Sequence, residues 1–111
     1  MESRPAGRFA VLIPVYNHAE QVVSVAARAR ALGLPVWVVD DGSTDATSVR
    51  LQEAEGITVL RHETNRGKGA AIRTGFAALA GVADWAVTLD ADGQHDPNDI
   101  PGMIRAIPAG L

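Results

Sequence analysis

The sequence predicts an α/β domain in which strands and helices alternate in the order βαβαβαβα around a mainly parallel sheet. Short continuous apolar runs, typical of strands buried on both faces, recur along the chain. Between them lie longer segments whose apolar residues recur at helical spacing. Because helical connections between parallel strands are right-handed, this alternation predicts helices on both faces of the sheet.

The first half of the chain contains two strand and helix pairs. The first strand is predicted from Phe9 to Val15, and the first helix runs from His18 to Leu32 with Asn17 as its N-cap. The second strand is predicted from Val36 to Val39, and a weaker helix after it ends near Ala54.

The second half repeats the alternation. A strand is predicted from Ile57 to Leu60, a helix from Gly67 to Ala80 and a strand from Trp85 to Leu89. Asp96 as N-cap and Pro97 at the first helical position predict a last helix. Its apolar positions are Ile100, Met103, Ile104 and Ile107.

Length and composition fit one soluble globular domain. The 111 residues, 47% apolar and 21% charged, supply one core, which we assign to residues 9–111 after a polar tail at 1–8. A net charge of −3 argues against nucleic acid as a partner. Without cysteine, any metal must be held by oxygen or imidazole. No apolar run reaches the roughly 20 residues that cross a bilayer, and the tail lacks a secretion signal, which predicts a cytoplasmic chain.

Polar clusters follow all four predicted strands. They lie at residues 16–17, 40–43, 65–69 and 90–94. In a parallel sheet these strand ends share one edge, and open α/β sheets bind ligands in the crevice outside that edge. The placement of the clusters therefore predicts a ligand site.

The fourth cluster has the chemistry of a divalent cation site. Asp90 and Asp92 lie two residues apart, so an extended backbone would send both carboxylates to one side, and Gln94 continues the alternation. Magnesium binds a few carboxylates together with substrate phosphates and water, which suits a bound diphosphate. For an isolated Asp-x-Asp, one capping aspartate and one solvated aspartate would be the better interpretation. The strand end and the other clusters favour the metal site.

The second cluster contains a pair of aspartates before a turn. We predict that Asp41 contacts the ligand, through a base or ribose, and that Asp40 has a structural role. The tetrapeptide alone supports equally well an alternative in which both are turn and capping residues.

Other polar residues carry weaker signals. The glycines of residues 67–69 could open an anion site at a helix start, but close packing of helix on sheet is favoured, and Lys68 is assigned no site role. No nucleoside triphosphate loop, dinucleotide fingerprint or nucleophile elbow is present. His18, His62 and His95 share no metal-ligand spacing. His62 is predicted to lie on the surface, and His95 either lines the acidic loop or packs in a turn.

Four motifs in order resemble the family 2 glycosyltransferases, and within that family the polyprenyl-phosphate mannosyl- and glucosyltransferases. They are Ile-Pro-Val-Tyr-Asn at 13–17, Val-Val-Asp-Asp-Gly-Ser-Thr-Asp at 38–45, Asn-Arg-Gly-Lys-Gly at 65–69 and Leu-Asp-Ala-Asp-Gly-Gln-His at 89–95. The resemblance implies the Rossmann-like nucleotide-binding half of a GT-A fold, a UDP- or GDP-sugar donor, inversion at the anomeric carbon, and Mg²⁺ or Mn²⁺. It also implies an acceptor such as a polyprenyl phosphate or a saccharide. A lipid-phosphate acceptor would place the otherwise cytoplasmic chain at a membrane surface.

The resemblance assigns site residues position by position. Pro14 and Tyr16 would flank the nucleotide, and Val39 and Asp41 would meet its base or ribose. The residues implied to hold the metal and the diphosphate are Asp90, Ala91, Asp92 and Gln94.

Family members continue well beyond the metal motif, so the chain is expected to be a truncated domain that binds a donor without transferring sugar. No general base is assigned, although His95, Asp96 and Asp99 would be the residues to test if the chain proved active. An uncovered edge beside the fourth strand predicts self-association or a covering partner. The alternative is a noncatalytic nucleotide-sugar-binding module that needs a partner chain. A sugar nucleotidyltransferase is disfavoured because no glycine-rich loop follows the first strand.

Overall fold

A computed structural model describes residues 8–92 and 105–106 of the chain. Within those ranges the elements are β1 Phe9–Val15, α1 Ala19–Arg30, β2 Val36–Asp41, α2 Thr47–Glu53, β3 Ile57–His62, α3 Lys68–Leu79, β4 Trp85–Thr88 and β5 Arg105–Ala106. The alternation of strand and helix through β4 confirms the predicted α/β class.

The sheet has the strand order β3-β2-β1-β4-β5. β1 runs parallel to both β2 and β4, and β2 runs parallel to β3. The chain therefore moves outward from β1 to β3 on one side and then crosses to β4 on the other side. The mainly parallel sheet that the alternation predicted is confirmed.

The last strand corrects the prediction of a fourth helix. Arg105 and Ala106 form β5, which pairs antiparallel with Ala86 and Trp85. Apolar residues at helical spacing indicate an amphipathic segment, but they do not reveal whether an unpaired strand edge lies nearby. Here the edge of β4 supplies the backbone partners for β5. The other residues of the predicted helix lie outside the described residues. Because β5 covers Trp85 and Ala86, the expectation of an uncovered edge at these residues is also wrong.

The apolar run of β1 reflects a strand covered on both faces. Val11, Ile13 and Val15 belong to the core cluster that contains the buried side of α1. Ala10 and Leu12 point to the other face and pack in a second cluster with α3. The two clusters explain why β1 carries no polar alternation.

Close approach of α3 to the sheet depends on Gly75. A Cβ added there would lie 2.6 Å from Cδ2 of Leu12, a separation too short for two carbon atoms. The prediction that Gly67 and Gly69 supply this packing is wrong. An added Cβ at Gly67 meets nothing within 4 Å, and at Gly69 it meets only the end of Arg73 at 3.5 Å.

The start of α1 also differs from the prediction. Its N-cap is His18, and Asn17 has a positive φ of 56°. The Asn17 side chain instead accepts hydrogen bonds from the backbone N–H groups of Thr44, at 2.8 Å, and Asp45, at 3.3 Å. Asparagine tolerates the left-handed conformation better than most residues, so it ties one strand-end loop to the next instead of capping the helix.

None of the helices in the described part of the chain is both long and apolar enough to cross a bilayer.

Candidate functional site

A pocket of about 310 Å³ opens at the carboxyl ends of β1, β2 and β4. The residues that line it are Pro14, Val15, Tyr16, His18, Asp41, Asn65, Lys68, Ala71, Asp90, Ala91 and Asp92. The chain leaves β1 toward β2 on one side and returns to the other side of β1 as β4, so the strand order reverses at β1. The pocket lies at this reversal of strand order, which is where open α/β sheets bind ligands.

The pocket brings together most of the residues that the sequence singled out. Those that line it are Pro14, Tyr16, Asp41, Asp90, Ala91 and Asp92. Val39 does not join them, because it is fully buried in the core cluster beside α3. Gln94 lies outside the described residues, as do His95, Asp96 and Asp99. The roles assigned to all of these residues stay predictions.

Gly42 allows the loops after β2 and β3 to approach each other. Its φ is +74°, and an added Cβ would lie 2.5 Å from the backbone nitrogen of Asn65. A larger residue would have to displace backbone, which costs more than moving the end of a side chain. The Asn65 side chain then donates a hydrogen bond to the Asp41 carbonyl at 3.3 Å.

Three hydrogen bonds constrain the carboxylate of Asp41 in the pocket. Its Oδ1 is 2.7 Å from Nδ1 of His62 and accepts the Arg66 backbone N–H at 2.9 Å, while Oδ2 accepts the Gly67 N–H at 2.8 Å. Burial raises the pKa of Asp41, but the hydrogen bonds from His62 and the two backbone amides outweigh burial and leave the pKa below its usual value. The group is therefore ionised at neutral pH.

Asp40 has the structural role that the sequence predicted. It is 1% exposed, and its Oδ1 accepts the backbone N–H of Ser43 at 3.0 Å. Nη1 of Arg61 donates to Oδ2 at 2.6 Å. Both oxygens thus serve the turn after β2 and its contact with β3, and Asp40 does not line the pocket.

His62 contradicts the prediction of a surface residue. Its side chain is 6% exposed and lies between Asp41 and Thr74, with Nε2 2.8 Å from the Thr74 hydroxyl. β3 continues two residues beyond its predicted end at Leu60, so pairing with β2 turns His62 inward under α3. The apolar run ends before this position, and therefore no sequence signal marked the histidine as buried.

Lys68 lines the pocket, although the sequence analysis assigned it no site role. It begins α3, and its Nζ lies 2.5 Å from Oδ1 of Asp90. The Lys68 side chain is 62% exposed and that of Asp90 is 27% exposed, so solvent screens the pair. The sequence signal for Lys68 was its position in the third strand-end cluster, residues 65–69. That cluster contacts the fourth cluster at the edge of the sheet.

The acidic residues of the pocket can supply part of a cation site. Asp90 and Asp92 provide oxygen ligands of the kind that Mg²⁺ and Mn²⁺ use, and the ammonium of Lys68 already lies against Asp90. Within the described ranges, no group of three or more His, Cys, Asp or Glu residues is arranged to hold a metal ion.

Comparisons with known proteins give a consistent result. The model of the family described as Glycosyl transferase family 2 matches residues 10–110. The UDP-N-acetylglucosamine–dolichyl-phosphate N-acetylglucosaminyltransferase of Methanococcus voltae is 33% identical over 115 residues, covering 87% of this chain and 46% of that protein. The undecaprenyl-phosphate 4-deoxy-4-formamido-L-arabinose transferase of Salmonella paratyphi A is 34% identical over 122 residues, covering 99% of this chain and 36% of that protein. The chain thus spans less than half the length of these two relatives.

A solved structure shares the fold. Glucosyl-3-phosphoglycerate synthase from Mycobacterium tuberculosis, in complex with Mn²⁺, UDP and glucosyl-3-phosphoglycerate, is 27% identical with a TM-score of 0.67, covering 77% of this chain and 33% of that one. Its complex with phosphoglyceric acid has a TM-score of 0.73 and covers 86% of this chain and 37% of that one. The likeness confirms a Rossmann-like α/β fold of the GT-A type.

Proposed function

The chain belongs to glycosyl transferase family 2, and from that membership we propose that it forms the donor-binding part of a glycosyltransferase. The enzyme transfers a sugar from a UDP- or GDP-sugar to an acceptor such as a polyprenyl phosphate or a saccharide. One observation carries the proposal: the pocket at the reversal of strand order combines a fixed carboxylate, Asp41, with the acidic pair Asp90 and Asp92. That combination matches a ligand with a polar nucleoside at one end and a diphosphate at the other.

The nucleoside end is assigned to the side of the pocket formed by β1 and β2. Pro14 and Tyr16 both line the pocket, and Tyr16 is 42% exposed, so its ring offers apolar surface to a planar base. Asp41 is ionised and accepts hydrogen bonds only, which suits a ribose hydroxyl or a base N–H. The UDP in the mycobacterial relative supports a nucleoside diphosphate as the ligand class.

The diphosphate end is assigned to Asp90, Asp92 and Lys68. The two carboxylates would hold Mg²⁺ or Mn²⁺, and the Mn²⁺ of the mycobacterial relative supports a divalent cation here. A bound ion would supply positive charge to the leaving diphosphate. Lys68 contributes a further positive charge at the same edge of the pocket, where it also limits repulsion between Asp90 and a phosphate.

Transfer is proposed to invert the anomeric carbon in a single displacement. An acceptor oxygen forms a bond to that carbon as the bond to the diphosphate oxygen breaks, and the electron pair leaves with the diphosphate. The acceptor gives up its proton to a general base that we do not assign to any residue of this chain. A lipid-phosphate acceptor, supported by the names of the two curated relatives, implies peripheral association with a membrane.

Isothermal titration calorimetry with UDP, GDP and their sugar derivatives tests the proposal. We expect binding in the presence of Mn²⁺ or Mg²⁺ and much weaker binding with a chelator, because Asp90 and Asp92 would otherwise repel the diphosphate. Adenosine diphosphate serves as the control for base preference. Equal affinity with and without the cation would contradict the metal assignment, and absence of binding by every nucleotide would contradict the donor site.

A further inference from the structure

We propose that His62 is a positioning residue for donor binding, because its Nδ1–H fixes the orientation of the Asp41 carboxylate in the pocket. This inference rests on the proposed function, since it gives Asp41 a nucleotide to bind. His62 does not line the pocket, so it acts through Asp41 and not by touching the ligand.

The sheet itself brings the two side chains together. Asp41 is the last residue of β2, His62 is the last residue of β3, and the two are partners in the parallel register. Both are nearly enclosed, with side-chain exposures of 4% for Asp41 and 6% for His62. A contact of 2.7 Å between two buried polar groups at the rim of a pocket is strongly constrained.

The hydrogen bonds of Asp41 leave a defined place for a ligand. A carboxylate oxygen has two lone pairs in the plane of the group. Oδ1 uses both of them, for His62 and for the backbone N–H of Arg66, whereas Oδ2 uses one for the N–H of Gly67. The remaining lone pair of Oδ2 can accept a hydrogen bond from a molecule in the pocket. Any rotation of the carboxylate would redirect that lone pair.

Among the described residues, His62 is the one side chain that donates to this carboxylate. The other two donors are backbone amides of the loop before α3, and no substitution at those positions would remove them unless it introduced proline. Because Asp41 is ionised it can only accept, so Nδ1 of His62 must carry the hydrogen. Nε2 then meets the Thr74 hydroxyl on α3, which holds the ring from the opposite side.

A purely structural role for His62, as a tie between β3 and α3, makes a different prediction. Asparagine at position 62 would place its amide near the position of Nδ1 and keep a donor for Asp41. Glutamine would place its amide near the position of Nε2 and keep the contact with Thr74. If His62 is only a structural tie, His62→Gln should retain function at least as well as His62→Asn. If His62 positions Asp41, His62→Asn should retain function better.

The test compares His62→Gln with His62→Asn by calorimetry with UDP and GDP in the presence of Mn²⁺. We expect His62→Gln to weaken binding about tenfold, the effect of losing one hydrogen bond to a charged group, and His62→Asn to stay within about threefold of the wild type. Thr74→Val keeps the bond to Asp41 and is expected to behave like His62→Asn. Equal affinity of wild type and both His62 variants would overturn the inference while leaving the proposed function intact.

A measurement without nucleotide separates the two ideas further. The carboxyl carbon of Asp41, followed by NMR across a pH titration, should titrate at higher pH in His62→Gln than in the wild type and should shift less in His62→Asn. No such difference would overturn the inference. A wild-type chain that binds no nucleoside diphosphate would overturn the proposed function and, with it, the role given to His62.

The wild-type protein provides a check that requires no variant to fold. Nitrogen-15 spectra distinguish a ring with hydrogen on Nδ1 from one with hydrogen on Nε2 alone. We expect the hydrogen on Nδ1, and we expect its resonance to move when UDP or GDP is added with Mn²⁺. A neutral ring that carries its hydrogen only on Nε2 would overturn the inference.

Discussion

Replacing Asp41 by asparagine should destabilise the fold as well as the site. The wild-type carboxylate accepts three N–H groups, and asparagine has one acceptor oxygen in place of two. In its better orientation the new amide keeps the bonds to His62 and Arg66 through oxygen but turns its NH₂ toward the N–H of Gly67. One bond becomes a contact between two donors, and the other two lose the assistance of the negative charge.

The magnitude follows from those three bonds. A hydrogen bond to a charged group contributes about 1.5 to 3 kcal/mol and a neutral one about 0.5 to 1.5 kcal/mol. The loss of one charged hydrogen bond and the weakening of the other two amount to about 4 kcal/mol. The wild type also bears the cost of burying the charge, which the variant avoids, so that cost must be subtracted. We expect Asp41→Asn to lower the free energy of unfolding by about 2 to 3 kcal/mol at neutral pH.

Urea unfolding followed by fluorescence of Trp37 and Trp85 measures this difference, with Glu53→Gln as the control. Glu53 is exposed on α2 and distant in sequence from the pocket, so its substitution should change stability by less than about 0.5 kcal/mol. If Asp41→Asn were as stable as this control, the hydrogen bonds described for Asp41 would not contribute to the fold.

The same pair of proteins should show a pH dependence with a defined sign. Burial raises the pKa of Asp41, but its hydrogen bonds lower the pKa by a larger amount, so the folded-state value lies below the unfolded value of about 3.8. The stabilisation is complete above the unfolded value and is lost as the pH falls through the folded one. The difference between wild type and Asp41→Asn should therefore narrow below about pH 4. A difference that stayed constant down to pH 2 would contradict this linkage.

Three further substitutions have defined outcomes. Asp92→Ala should abolish the cation-dependent part of nucleotide binding in calorimetry while the midpoint of thermal unfolding stays unchanged; an unfolded variant would show that Asp92 is structural. Arg61→Met should lower the free energy of unfolding in urea by about 1 to 2 kcal/mol, because the buried carboxylate of Asp40 loses one partner. The loss is moderate because the Arg61 side chain is 43% exposed, so solvent already screens part of the ion pair. Gly75→Ala should destabilise by about 1 to 2 kcal/mol despite better helix propensity, since the buried Leu12 cannot move aside; a stabilised variant would show that α3 shifts freely.

The sequence predicted those parts of the fold that burial alone determines. The run from Phe9 to Val15 matches β1 residue for residue, because a strand covered on both faces must be apolar throughout. Helix α1 was also found, although its cap was not, since Asn17 bonds across to the next loop. Such long-range hydrogen bonds leave no local pattern, and the same reason explains why β5 was taken for part of a helix.

The site was predictable to the extent that strand ends define it. Tyr16, Asp41, Asp90 and Asp92 meet in one pocket because parallel strands bring their carboxyl ends to one edge. The orientation of individual side chains was beyond the pattern. Val39 was assigned to the site, and its side chain is fully buried beside α3, on the same face of β2 as Asp41 but two residues further from the strand end.

The loops around the pocket are joined to one another in sequence order. Asn17 ties the loop after β1 to that after β2, Asp41 ties the latter to the loop before α3, and Lys68 reaches Asp90 after β4. The loops after β1 and β2 are also joined by a part-buried hydrogen bond from the Asn17 backbone N–H to the Ser43 hydroxyl, and the Asp41 link is part-buried as well. The third link, by contrast, is a solvent-screened ion pair. One end of the cleft is therefore ordered before any ligand arrives, and little entropy is lost there on association. At the other end lies the ion pair between Lys68 and Asp90. An incoming cation or phosphate can replace one partner of that pair without breaking the hydrogen bonds that join the other loops.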